Sequence, residues 1–158
     1  LSGLLGVILG GRMSDWLRTR NPSGRILVVM FGIVAPVVPI WLGFTTASPT
    51  LFYAMNFLAG MFAAAALGAA AATTQDLVLP RMRGTATASF FLATTLVGLG
   101  LGPYMVGAIS ELSGSRQTGV LSLIGVAPIS LALLIYAYRT LPQAEATIAE
   151  RAAAAAAG

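Results

Sequence analysis

The chain alternates long uncharged runs with short clusters of arginine and acid. No charged residue falls between Arg25 and Asp76, and the main polar break in that interval is Thr45-Thr46-Ala47-Ser48-Pro49-Thr50. A membrane-spanning helix needs roughly 20 apolar residues, so the interval predicts two spans, 26–46 and 50–75. Further uncharged runs predict spans at 85–110 and 117–138. Leu1 to Gly11 are also apolar, but at about 1.5 Å of rise per residue they cross only half of a bilayer core. The pattern therefore predicts an all-α polytopic transmembrane helix bundle over 1–139, with a truncated span at 1–11 and four complete ones. The tail, 140–158, is Ala-rich and low in complexity, and carries Glu145, Glu150 and Arg151. The first run has no basic segment before it and no small-residue cleavage site, so it is not a signal peptide. It reads as the start of a C-terminal part of a longer protein, cut inside a helix.

Composition sharpens this picture. Apolar residues make up 57% of the chain and charged residues 9%, where a soluble domain carries about 25% charged. There is no His, Cys or Lys, and all nine basic residues are Arg. These absences exclude zinc and iron–sulfur sites, disulfides, and Ser-His or Cys-His catalysis. No catalytic residue, metal or cofactor is predicted. The net charge of +4 is scattered through gaps between apolar runs, which is membrane topology and not a nucleic-acid face. Arg12, Arg18, Arg20 and Arg25 crowd the first loop, Arg81 and Arg83 the third, and Arg139 opens the tail. The second and fourth connections carry no net charge. Basic and neutral loops thus alternate as in a bundle with a cytoplasmic C-terminus in an inner or plasma membrane.

Small residues supply the expected packing, because lipid gives helices no hydrophobic drive to associate. Gly98 and Gly102 form G-x-x-x-G ahead of Pro103, Gly60, Ala64, Gly68 and Ala72 recur every four residues, and Gly6 pairs with Gly10. Pro36, Pro39, Pro103 and Pro128 predict kinks, since neighbouring helices can satisfy the carbonyls they free. At the charged end, Gly11 allows two helix ends to approach, and Asp15 suits the free N–H groups of a neighbouring helix start. Arg81 and Arg83 open a helix, where the dipole disfavours cations. They are expected to pair with Asp76, Asp15 or lipid phosphate. Such pairs form either a latch that breaks when the bundle rocks or simple topology anchors.

Two loops carry a family resemblance. Gly10-Gly11-Arg12-Met13-Ser14-Asp15-Trp16-Leu17-Arg18-Thr19-Arg20 resembles the G-x-L-x-D-R-x-G-R-R signature of the major facilitator superfamily, in the copy between the eighth and ninth helices. Gly11, Asp15 and Arg20 fit it, whereas Trp16 replaces a basic residue and Arg18 a Gly. Gln75-Asp76-Leu77-Val78-Leu79-Pro80-Arg81-Met82-Arg83-Gly84-Thr85-Ala86 looks like the entry to the eleventh helix. Gly98 to Pro103 and Val106 to Glu111 are similar to its continuation, in the manner of spinster-like members. The resemblance spans residues 3 to 139. It implies part of the C-terminal six-helix half of a 12-helix fold, and a secondary active transporter of a small or amphipathic solute, with a lysolipid- or sphingolipid-like substrate in view.

In such a transporter the substrate site lies near the midplane. The resemblance puts 50–75 and 85–110 beside the cavity and leaves 26–46 and 117–138 as outer scaffold. Tyr53, Asn56 and Gly60 share one helical stripe, with Phe57 and Met61 adjoining. Phe91 and Thr94 share another, next to Thr95, and the threonines lie about 15 Å deep. These residues are the substrate-cavity candidates, and interhelical hydrogen bonding is the other use for their polar groups. No span interior holds Asp, Glu, Arg or Lys, so any coupling ion, H+ or Na+, is expected to bind on the missing part of the protein. The competing readings are a small multi-span exporter or interaction bundle acting as an oligomer, and a membrane lipid-modifying enzyme. The exporter lacks its intramembrane acid and the enzyme its convergent polar cluster.

Overall fold

The computed structural model describes the backbone of residues 1–21 and 23–157, and side chains up to residue 147 except residues 22 and 145. Its elements are α1 (Ser2–Arg20), α2 (Gly24–Val34), α3 (Val37–Thr45), α4 (Pro49–Asp76), α5 (Arg83–Thr94), α6 (Gly102–Ser113), α7 (Arg116–Leu121) and α8 (Ala127–Ala157). Short 3-10 turns at Pro80–Met82 and Ser122–Val126 and a π-helical stretch at Thr95–Leu101 join some of them. Four stretches are long and apolar enough to cross a membrane: Gly24–Thr45, Pro49–Asp76, Pro80–Ser113 and Arg116–Ala144.

Proline and glycine place the interruptions. Pro36 separates α2 from α3, and Ala35 and Pro36 both keep right-handed helical angles, so the span continues through the interruption. Pro49 stands in the first turn of α4, where its missing N–H has no helical acceptor to serve. Pro103 removes the donor for the carbonyl four residues earlier, at Leu99, and the π-helical stretch occupies this part of the third span. Gly114, with φ of 66°, ends α6 in the left-handed conformation that favours glycine. Ser115 then caps α7 by accepting the Thr118 N–H at 3.3 Å.

One expected boundary moves. The arginine-rich loop expected after residue 11 is helical as far as Arg20, because nothing between Gly11 and Arg20 breaks a helix and its last-turn arginines suit the dipole. The Ala-rich tail is helical, for α8 continues through Arg139 to Ala157.

α4 is the central helix, packed against α1, α2 and α3. A Cβ placed on Gly10 would lie 2.5 Å from Ala65 Cα and Cβ, and one on Gly6 would strike the Met61 carbonyl. Gly32 of α2 meets Ala66 in the same way at 2.5 Å. Backbones therefore touch along the Ala64–Ala66 face of α4, where dispersion replaces the missing hydrophobic drive. Val28, Val29 and Ala69 form the buried core, flanked by Leu17, Ile33, Ala70 and Leu134. The third span differs: it meets α4 near its start and α7 near its end.

Candidate functional site

One end of the bundle gathers Arg12, Arg18, Arg20, Arg25, Arg81, Arg83 and Arg139 against Asp15 and Asp76, whereas Glu111 and Arg116 mark the other. Asp76 is the last residue of α4, Arg18 lies in the last turn of α1, and Arg25 in the first turn of α2. Both guanidinium groups bond to Asp76 Oδ2 through Nη1. Arg25 Nη2 also donates to Asp15 Oδ1 at 3.0 Å, and its Nη1 to the Ala72 carbonyl at 3.3 Å. Asp76 and Arg25 each sit at the helix end whose dipole disfavours their charge, so each offsets the other's penalty. The Asp76 side chain is 17% exposed and that of Asp15 71% exposed. Asp76 is therefore the centre of the cluster, and Asp15 an outer member.

The partners of Asp76 differ from those expected. Arg81 and Arg83 are exposed, and neither forms an ion pair among the described residues. α4 packs on α1 and α2, so its terminal carboxylate meets Arg18 and Arg25, while the turn at Pro80–Met82 carries Arg81 and Arg83 past the end of α4. Asp15 accepts from Arg25 instead of from a helix start. Arg20 lies 4.0 Å over the Trp16 ring. No atom outside its own helix lies within 4 Å of a Cβ on Gly11, and the close approach falls to Gly10. Arg18 and Arg25 are the members that sequence reasoning missed. The available signal was their placement at the two helix ends flanking the α1–α2 turn. Gln75 Nε2 donates to Thr87 Oγ1 at 3.0 Å and ties α4 to α5 beside this cluster.

Nearer the middle of the spans, the structure divides the cavity candidates. Asn56 and Gly60 line a groove of about 350 Å³ with Pro36, Ile40, Phe44 and Val120. Thr94 lines a separate groove of about 520 Å³ with Phe90, Ala93, Val97 and Gly98. The two share no lining residue. Tyr53, 72% exposed, lines neither groove, and Phe57, Phe91 and Thr95 are exposed as well. Met61 has a packing role, its carbonyl lying against Gly6. Asn56 Nδ2 donates to the Phe52 carbonyl at 2.9 Å, which leaves its amide oxygen and one N–H free. Thr94 Oγ1 lies 3.0 Å from both the Phe90 and Phe91 carbonyls, to which its single O–H donates, and its lone pairs are left to accept from a ligand. Both grooves are otherwise apolar, which suits an alkyl or aromatic body with a few polar contacts.

Gly98, Gly100, Gly102 and Gly107 have no neighbour within 4 Å of an added Cβ. The G-x-x-x-G of the third span, with Pro103 at the start of α6, thus makes no close backbone approach among the described residues, and Gly102 instead lines a groove with Leu101, Ser122, Leu123 and Val126. Close approaches between helices are made instead by Gly6, Gly10 and Gly32, and by Gly119 of α7, where an added Cβ would lie 2.6 Å from the Val106 carbonyl.

Sequence comparison places these features. The chain is 30% identical over 112 residues to an MFS-type efflux pump of Mycolicibacterium smegmatis, covering 69% of this chain and 25% of that protein. It is 34% identical over 117 residues to the protein spinster of Drosophila melanogaster, covering 70% of this chain and 19% of that protein. It is also 30% identical over 122 residues to a sphingosine-1-phosphate transporter of Xenopus tropicalis, covering 75% of this chain and 23% of that protein. The chain thus spans about a fifth to a quarter of the length of the curated relatives it matches. No family model and no solved structure matches it. With its apolar helices, its paired charged loops and these relatives together, the chain belongs to the major facilitator superfamily, in the spinster-like branch.

Proposed function

We propose that the chain forms part of a secondary active transporter that moves a small or amphipathic solute by alternating access, with its C-terminus cytoplasmic. The observation that carries this reading is the third span, Pro80–Ser113, held near its two ends and open along its middle, where Thr94 and Gly98 line a groove. A helix whose middle faces a groove can line a solute path, and the π-helical stretch beside it is of a kind frequent at functional sites. The relatives include an efflux pump and a sphingosine-1-phosphate transporter, which favours a lysolipid- or sphingolipid-like substrate. Asn56 and Thr94 would supply polar contacts at two places along an apolar body, and Tyr53, Phe57, Gly60, Met61, Phe91 and Thr95 are the further cavity candidates. The coupling ion, H+ or Na+, would bind elsewhere in the protein.

The Arg18–Asp76–Arg25 cluster, with Asp15, is the latch of this reading. It holds α1, α2 and α4 together in one state and opens in the other. Gly11, Arg20, Arg81 and Arg83 then act as topology anchors and lipid contacts around it, in keeping with the positive-inside rule.

The test is transport by the full-length protein in proteoliposomes, with sphingosine phosphate, a lysophospholipid and a hydrophilic drug as candidate solutes. Thr94→Val keeps the shape and removes the acceptor. It should raise KM for the transported solute roughly 3- to 10-fold, the worth of one hydrogen bond, with the melting temperature unchanged. Transport of none of these solutes, or an unaltered KM, would sink the assignment of substrate class and groove respectively.

A further inference from the structure

A second set of bonds joins the α1–α2 turn to the last span, directly beside the arginines. α8 contains Pro142 within the helix. Proline has no N–H, so the carbonyl four residues back, at Tyr138, loses its helical donor. Ser23, 2% exposed, places its Oγ 3.5 Å from that oxygen. A hydroxyl from a neighbouring helix is one of the groups that can satisfy a carbonyl freed by proline in a membrane. Asn21 Nδ2 donates to the Tyr138 phenol oxygen at 3.0 Å, and Asn21 Oδ1 accepts the Ser23 N–H at 3.0 Å. Leu141, one turn along α8 from Tyr138, is 6% exposed. The turn is thus gripped by side chain and main chain of the same helical turn.

We propose that Asn21, Ser23, Tyr138 and Pro142 form a clasp whose role is to hold Arg18 and Arg25 on Asp76, coupling α8 to the latch. Asn21 follows Arg18 by three residues and Ser23 precedes Arg25 by two, so the clasp sets where α1 ends and α2 begins. Those two helix ends decide whether both guanidinium groups reach one carboxylate oxygen. The four residues are positioning residues. The inference rests on the latch reading of the cluster, and the experiment separates the two.

In the full-length transporter, spin labels on cysteines introduced at Thr19 and Met82, both exposed, report the distance between the end of α1 and the α4–α5 connection. Asp76→Asn should enlarge the long-distance population. Tyr138→Phe should enlarge it about fivefold, the worth of one hydrogen bond, and Ser23→Ala, which removes a longer contact, should enlarge it by less. Pro142→Ala returns an N–H to the Tyr138 carbonyl and raises helix propensity, so it should open the latch without lowering the melting temperature. That combination distinguishes positioning from a loss of stability. In an Asp76→Asn background, Tyr138→Phe should add nothing. If Asp76→Asn shifts the distances and the clasp variants do not, the clasp is overturned and the latch stands. Additive effects of Tyr138→Phe and Asp76→Asn also overturn the clasp. If Asp76→Asn leaves the distances unchanged, the latch reading fails and the clasp falls with it.

Discussion

α1, α2 and α4 meet with backbones touching, Gly against Ala, and close their charged end with two arginines on one aspartate. The span Pro80–Ser113 carries Gly98, Gly100, Gly102 and Gly107 through its second half, yet a Cβ added to any of them would meet nothing else among the described residues. The difference teaches that a small-residue stripe records a capacity for close approach, and the partner decides whether it is used. In the first region Ala64, Ala65 and Ala66 supply that partner. In the second, the π-helical stretch and Pro103 loosen the helix, and the groove at Thr94 stays open.

Substitutions that fill space break this comparison most strongly. Gly10→Leu pushes a side chain into the Ala65 backbone and should cost about 3 kcal/mol, read as a lowered melting temperature and loss of monodisperse protein. Gly98→Leu should leave the melting temperature of this chain within a few degrees. Equal tolerance of both would erase the distinction between the two regions.

The charged end gives the next largest effect. Asp76→Asn leaves Arg18 and Arg25 without their shared carboxylate and should cost about 1–3 kcal/mol, less than a fully buried pair because the cluster keeps some water contact. Arg81→Gln, which removes an exposed charge, should stay within about 0.5 kcal/mol. A double-mutant cycle of Asp76→Asn with Arg18→Gln measures the coupling directly, and a cycle that sums to zero would mean that the two do not interact in the folded state. Arg20→Ala sharpens the picture at the smallest scale. It removes the stack on Trp16 and should cost about 0.5–1 kcal/mol, with the Arg18 and Arg25 pairs intact.

The spans were legible because charge-free length is a direct demand of the bilayer, and it needs no knowledge of neighbours. Their boundaries shifted where the sequence was read as loop but contained no helix breaker, as between Arg12 and Arg20. The site was legible in part. Asp15 and Asp76 stood out as lone acids among arginines, but nothing in the order of residues says which arginine reaches them. Arg81 and Arg83 are nearer to Asp76 along the chain than Arg18 and Arg25, and still lie outside the cluster. Similarly, Asn56 and Thr94 were both expected to face one cavity, and they line different grooves.

By itself the sequence determined that this chain spans a membrane as helices, with an arginine-rich end and no Asp, Glu, Arg or Lys in the span interiors. Each of these follows from composition and spacing against the cost of placing charge in hydrocarbon. The tertiary structure decided which glycines carry the packing, which arginines hold Asp76, and that Tyr138 and Pro142 grip the turn between α1 and α2. Those outcomes depend on how helices rotate and cross. That is set by contacts between residues distant in the chain, here Gly10 with Ala65, Arg25 with Asp76 and Asn21 with Tyr138.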